Sequence, residues 1–186
     1  MNIVVYCGAN LGKEINYSHS AENLGKWIAE NKHQLVYGGG GVGLMKIIAD
    51  SVLENKGYVT GIMPEFLVSR ELAHNNLTDL ILVESMSQRK QKMIELGEVF
   101  IALPGGPGTL EEITEVVSWS RLGKNDSPCI FFNSNGYYNS IKYFYDDMVI
   151  KGFLDKQDRN KILFSDSLNE IELFIEGYVP PEIRVY

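Results

Sequence analysis

Short apolar runs alternate with amphipathic stretches along most of this chain, and that alternation admits few folds. The runs at 3–7, 34–37, 58–62, 80–83, 99–103 and 129–132 read as strands. The stretches near 17–31, 42–55, 87–96, 110–122 and 137–151 carry apolar residues at three- and four-residue spacing, as Leu24, Trp27 and Ile28 do, and read as helices. Strands joined through single helices make right-handed crossovers, which predicts an α/β fold with a mostly parallel sheet and helices on both faces. Ligands of such sheets sit beyond the carboxyl ends of the strands. Three glycine-bearing turns, CGAN at 7–10, YGGGGVG at 37–43 and PGGPGT at 104–109, all follow strands and so open toward that edge.

With 186 residues, 45% of them hydrophobic and 22% charged, the chain suits one compact domain with a substantial core. A formal net charge of -7 and a pI near 5.0 argue against nucleic acid and anionic membranes as partners, since both need a positive field. Any phosphate site must therefore be local. The opening MNIVVYCGAN has no basic flank and only a short apolar run, so neither a signal peptide nor an anchor is expected, and the expected compartment is the cytoplasm. Cys7 and Cys129 match no metal-ligand spacing and read as free buried thiols. His19, His33 and His74 have no partner at metal spacing and read as solvated, so no metal site is expected. Trp27 and Trp119 read as core or interface aromatics, and 178–186, with Pro180 and Pro181, as extended surface chain.

The chemistry concentrates at 98–123, EVFIALPGGPGTLEEITEVVSWSRLG. A buried strand runs into a Pro-Gly-Gly turn, then into a helix that opens with Thr109 and two carboxylates. The first turn of a helix leaves backbone N–H groups unpaired at the positive end of its dipole, which favours an anion. Gly105, Gly106 and Gly108 permit close approach to the backbone. Pro107 has no N–H, so the donors would be the amides of Gly106, Gly108, Thr109 and Leu110. Thr109 with Glu112 three residues on is also a capping box, but capping needs neither the three glycines nor the two prolines.

Gly38, Gly40 and Gly43 satisfy GxGxxG, yet the context of a dinucleotide fingerprint is wrong: the strand after the turn reaches Pro64 before Glu65, with no carboxylate at its end for a ribose. A mononucleotide P-loop fails as well, because Leu44 stands where lysine should follow Gly43. The turn reads as a backbone-approach loop forming one wall of a nucleotide site, with a packing turn as the alternative. In SMSQRKQKM at 85–93, Arg89 and Lys90 fall near a helix N-terminus, where cations oppose the dipole at a cost of about 0.3–1 kcal/mol each. An anionic ligand or Glu112 would compensate at Arg89, and a guanidinium fork suits either. Lys90, Gln91 and Lys92 read equally well as a solvated face.

These segments together resemble one family. PGGPGTLEE at 104–112 fits the PGGxGTxxE motif of the LOG family of cytokinin riboside 5′-monophosphate phosphoribohydrolases, often labelled lysine decarboxylases. YGGGGVGLM, SMSQRKQKM and EVVSWSRLG resemble the family's YGGGxxGLM, SMHxRKxxM and EVxxWxQLG, and the likeness runs from the first strand to about Gly123. The resemblance implies that residues 1–186 form one Rossmann-like nucleotide-binding catalytic domain and that Arg89 and Glu112 carry catalysis. It also implies that Gly39, Gly40, Met86, Lys90, Gly105, Gly106, Gly108 and Thr109 bind a purine nucleoside monophosphate, that no cofactor is needed, and that the protein is a homodimer. Ser87, Lys46 and Ala9 depart from the family pattern at what reads as the rim of the site, leaving open whether the base is a prenylated adenine, the adenine of AMP or another purine. No lysine stands in a context suggesting a pyridoxal phosphate Schiff base, so the decarboxylase label has no support.

Cleaving an N-ribosidic bond builds positive charge on the sugar, and Glu112 can answer it, bind ribose hydroxyls and orient or deprotonate a water. Arg89 either keeps Glu112 ionised and oriented or assists the leaving purine. Glu111 and Glu115, four residues apart, read as a solvated or interface face. Two other classes compete with the hydrolase: a non-catalytic nucleotide or molybdenum-cofactor carrier, against which the intact Arg89 and Glu112 weigh, and an NAD-linked oxidoreductase, against which the missing ribose carboxylate weighs.

Overall fold

Seven strands form a single all-parallel sheet in a computed structural model that describes residues 1–68 and 73–183. In chain order they are β1 Asn2–Tyr6, β2 Gln34–Tyr37, β3 Tyr58–Pro64, β4 Asp79–Val83, β5 Val99–Ala102, β6 Cys129–Phe132 and β7 Ile162–Ser165, and their order across the sheet is β4-β3-β2-β1-β5-β6-β7. The order runs one way from β1 to β4 and the other way from β5 to β7, so the topological switch point lies between β1 and β5, where Val4 pairs with Phe100 and Tyr6 with Ala102. A crevice opens beyond the strand ends at such a point.

The alternation of each strand divides the core in two. Ile3, Val5, Val99, Ile101, Ile130 and Phe132 meet α1 (Ile15–Glu30), α2 (Gly43–Glu54) and α8 (Leu168–Glu176) on one face. Val4, Tyr6, Phe100, Ala102, Cys129 and Phe131 meet α4 (Met86–Leu96), α5 (Pro107–Ser120) and α6 (Asn139–Ile150) on the other. Helices on both faces explain why β1, β5 and β6 read as continuous apolar runs. Short helices α3 (Glu65–Val68) and α7 (Lys156–Arg159) complete the set.

The strands and helices expected from the sequence are all present, with shifted ends. β3 runs on to Pro64, which pairs with Val83 near the sheet edge, where a missing N–H is tolerated. The pair β7 and α8 had no sequence expectation: β7 is four residues at the other sheet edge, with only Ile162 and Ser165 buried. Residues 178–183 lie in neither helix nor strand, and the last three residues of the expected tail, 184–186, lie outside the described residues. Cys129 is buried and Cys7 half-buried, both as free thiols, and Trp27 packs in the core. Among the described residues no helix is long and apolar enough to cross a membrane, and no cluster of three or more His, Cys, Asp or Glu is placed to hold a metal ion.

Candidate active site

Three turns interlock at the carboxyl ends of the strands. Gly8 N–H donates to the Pro104 carbonyl at 3.1 Å, and Leu44 N–H donates to the Gly8 carbonyl at 3.1 Å, so the turn after β1 is stitched to the turns after β5 and β2. Gly43, at φ 58°, packs so closely that a Cβ there would lie 2.3 Å from the Ala9 carbonyl. Only glycine fits both the conformation and the space. The turns enclose a cavity of about 400 Å³ at the switch point.

The wall that α5 supplies presents the start of that helix to the cavity. The helix opens on Pro107 at its first position, with Gly106 as an N-cap that makes no side-chain bond. Thr109 therefore does not open the helix as the sequence suggested, and the capping-box alternative is not what shapes the turn. Leu110 N–H already donates to the Gly106 carbonyl at 3.2 Å, which removes it from the expected donors and leaves Gly106, Gly108 and Thr109. Thr109 is buried, with its side chain folded over Gly105, where a Cβ would meet Oγ1 at 2.2 Å. Gly106 and Gly108 differ: a Cβ on either would have no neighbour within 4 Å. Nothing in the fold demands glycine at those two positions, but a ligand that approaches the backbone would.

Arg89 comes from α4, whose N-cap Ser85 accepts from Gln88 N–H at 3.2 Å. The side chain is 7% exposed, with Nη1 3.8 Å from Met86 Sδ and Nε buried without a hydrogen-bond partner among the described residues. Gly38 makes room for it, since a Cβ there would stand 2.0 Å from Arg89 Nη2. Glu112, half-buried on α5, lines the same cavity. Both charges act on Cys7 in the cavity wall: burial pushes its thiol well up, Glu112 pushes it further, and Arg89 opposes them. Cys7 is thus held in its protonated thiol form at neutral pH.

Met86, Arg89, Gly105, Gly106, Gly108, Thr109 and Glu112 are brought together in this cavity, and Gly39, Gly40 and Lys90 stand outside its lining. Gly39, at φ 79°, packs on Met63 and Leu80, and its carbonyl accepts from His74 N–H at 3.0 Å. Gly40 bridges to Ala73 and accepts from Tyr37 Oη at 3.2 Å. Lys90 turns toward Glu111 and Glu115, at 2.8 and 2.9 Å. Of the three departures from the family motifs only Ala9 lines the cavity; Ser87 is exposed and Lys46 pairs with Asp50 on the surface of α2. His74 corrects the expectation of a solvated ring. It is 8% exposed, with Nε2 2.8 Å from Asp50 Oδ1 and Asn76 N–H donating to Nδ1 at 3.2 Å.

Sequence reasoning missed Tyr17 and Tyr137, whose rings pack edge-on at 5.5 Å in the cavity wall. Their only signal is the aromatic pair Tyr137-Tyr138 directly after the turn residues of NSNG.

Fold and cavity together define a class, a Rossmann-like α/β protein with a cavity at the switch point of its sheet. Residues 45–172 match the family model described as "Possible lysine decarboxylase". The cytokinin riboside 5′-monophosphate phosphoribohydrolase of Rhodococcoides fascians is 43% identical over 163 residues, covering 87% of this chain and 82% of its own. One of Arabidopsis thaliana is 39% identical over 183 residues, covering 98% and 86%. The chain belongs to the LOG family, to which that model and these relatives belong. In fold it is also similar to the molybdenum cofactor carrier protein of Chlamydomonas reinhardtii, with a TM-score of 0.73 at 17% identity over 95% of this chain and 98% of that one. The molybdenum cofactor binding protein of Rippkaea orientalis gives 0.64 at 20% identity over 92% and 93%. At such identities the likeness is one of fold.

Proposed function

We propose that this protein is an N-ribosyl hydrolase acting on a purine riboside 5′-monophosphate, cytokinin-type or AMP, and releasing the free base and ribose 5-phosphate. One observation carries the reading: a single cavity is lined by a buried arginine whose Nε has no hydrogen-bond partner among the described residues, by Glu112, and by the glycine turn at the start of α5. The amides of Gly106, Gly108 and Thr109 hold the phosphate, whose remote binding energy aligns the ribose. Glu112 faces the sugar, stabilises the cationic transition state and positions the water. The water oxygen bonds to the anomeric carbon as the carbon–nitrogen bond breaks. Its electron pair leaves with the base, which gains a proton as the water loses one. Arg89, buried in the wall of the same cavity, keeps Glu112 ionised and oriented, a role supported by their shared place in one lining.

The reading includes one catalytic domain over 1–186, a cytoplasmic location, no cofactor and a homodimer, which sedimentation would show as twice the 20.9 kDa chain. Exposed apolar side chains such as Leu82 on the edge strand support the dimer. The function is tested by incubating the protein with AMP and with isopentenyladenosine monophosphate and separating the products. Released base with ribose 5-phosphate in equal amounts is the expected result. Tight binding of either compound without release would instead place the protein with the carriers.

A further inference from the structure

The turn that leads into α5 is held by its carbonyls. Tyr138 Oη donates to the Leu103 carbonyl at 2.7 Å, Gly8 N–H to that of Pro104 at 3.1 Å, and Tyr137 Oη to that of Gly105 at 2.5 Å. The carbonyl and the following N–H of one planar peptide point to opposite sides. Each bond therefore also aims the amide on the far side of its peptide. The bond to the Gly105 carbonyl aims Gly106 N–H, the first amide the turn can offer an anion.

Tyr137 is suited to aiming rather than to folding. It is 41% exposed at the cavity wall, where a hydroxyl bond adds little to stability, whereas Tyr138 is buried. Its ring is nonetheless fixed from two sides, edge-on to Tyr17 at 5.5 Å and to Tyr138 at 4.9 Å. Tyr17 in turn lies over Gly12, at φ 73°, where a Cβ would come 2.7 Å from the ring. A rigid aromatic chain thus reaches from the turn after β1 to the turn after β5.

We propose that Tyr137 is a positioning residue of this site: its hydroxyl, by donating to the Gly105 carbonyl, sets the Gly105–Gly106 peptide so that Gly106 N–H serves a phosphate monoester. The proposal rests on the phosphate reading of the turn given above, and not on hydrolysis. Tyr137→Phe removes the hydroxyl and keeps the ring.

The test compares the whole protein with Tyr137→Phe by calorimetric titration of inorganic phosphate and of AMP, by the kinetics of AMP, and by the amide spectrum of the ligand-free protein. Phosphate and AMP should bind about ten-fold more weakly in the variant, with KM for AMP rising by a similar factor and kcat changing less, as expected when a charge-assisted bond is lost. The Gly106 amide resonance should move in the free variant while its melting temperature stays close to that of the unaltered protein. If the unaltered protein binds phosphate more tightly than the variant but releases no base, the hydrolase reading fails and the positioning role stands. Equal phosphate binding by the two proteins, no phosphate binding by either, or an unmoved Gly106 amide would each overturn the proposal.

Discussion

Lys90 Nζ lies 2.8 Å from Glu111 Oε1 and 2.9 Å from Glu115 Oε2, so the residue next to Arg89 is ion-paired to the residue next to Glu112. Helices α4 and α5 are thereby braced at the positions where each presents a charged side chain to the cavity. The hydrogen bond to Glu111, and then that to Glu115, raises the Lys90 ammonium above its ordinary value.

Removing the brace should disturb activity more than folding. Because Glu111 is largely exposed, Lys90→Met should cost only about 0.5–1 kcal/mol in urea unfolding. A shift of α4 against α5 by a fraction of an ångström should still lower kcat/KM for AMP by roughly ten-fold. A group whose folded pKa is raised stabilises fully below its unfolded value and loses that contribution as pH rises through the folded one. The stability difference between the two proteins should thus be flat from neutral pH up to the ordinary lysine value of 10.5 and shrink above it.

Gly38 should act through Arg89. A methyl group there would stand 2.0 Å from Nη2, so Gly38→Ala must push the guanidinium out of its slot beside Met45. We expect kcat/KM to fall by about 10²-fold. Combined with Arg89→Ala the loss should be far from additive, since the second change removes what the first displaces. Additive losses in that double-mutant cycle would separate Gly38 from Arg89.

Acid stability should depend on Asp50. Burial pushes its carboxyl up, but hydrogen bonds and charge from Lys46 and His74 outweigh this and hold it below the ordinary 3.8. A depressed carboxyl contributes stability above its unfolded value and loses it as pH falls through the folded one. Asp50→Asn should therefore lower the melting temperature at pH 6, and the gap to the unaltered protein should close as the pH falls below about 4. A gap that persists at pH 2 would show that the residue acts through packing alone.

The layered fold was legible because β1 from Ile3 onward, and β5 and β6 throughout, are apolar, as strands covered on both faces must be, and because single amphipathic stretches join them. β7 was not, since four residues at a sheet edge bury too little to leave a pattern. At the site, Arg89 and the glycines of the α5 turn stand out in the sequence because a cation at a helix start and glycine without a turn requirement both conflict with local preference, whereas Glu112 stands out only through its place in PGGPGTLEE. Gly39 and Gly40 look the same in sequence, but their demands come from Met63, Leu80 and Ala73 on other elements. Tyr137 was hidden for the same reason, its partner Gly105 standing 32 residues away.

The most direct test of the hydrolytic assignment is single-turnover cleavage of AMP by Glu112→Gln, which keeps the side chain's shape and removes its charge. The account predicts a rate lower by about 10²–10⁴-fold with AMP bound within a few-fold of normal. A near-normal rate from the glutamine variant would contradict it.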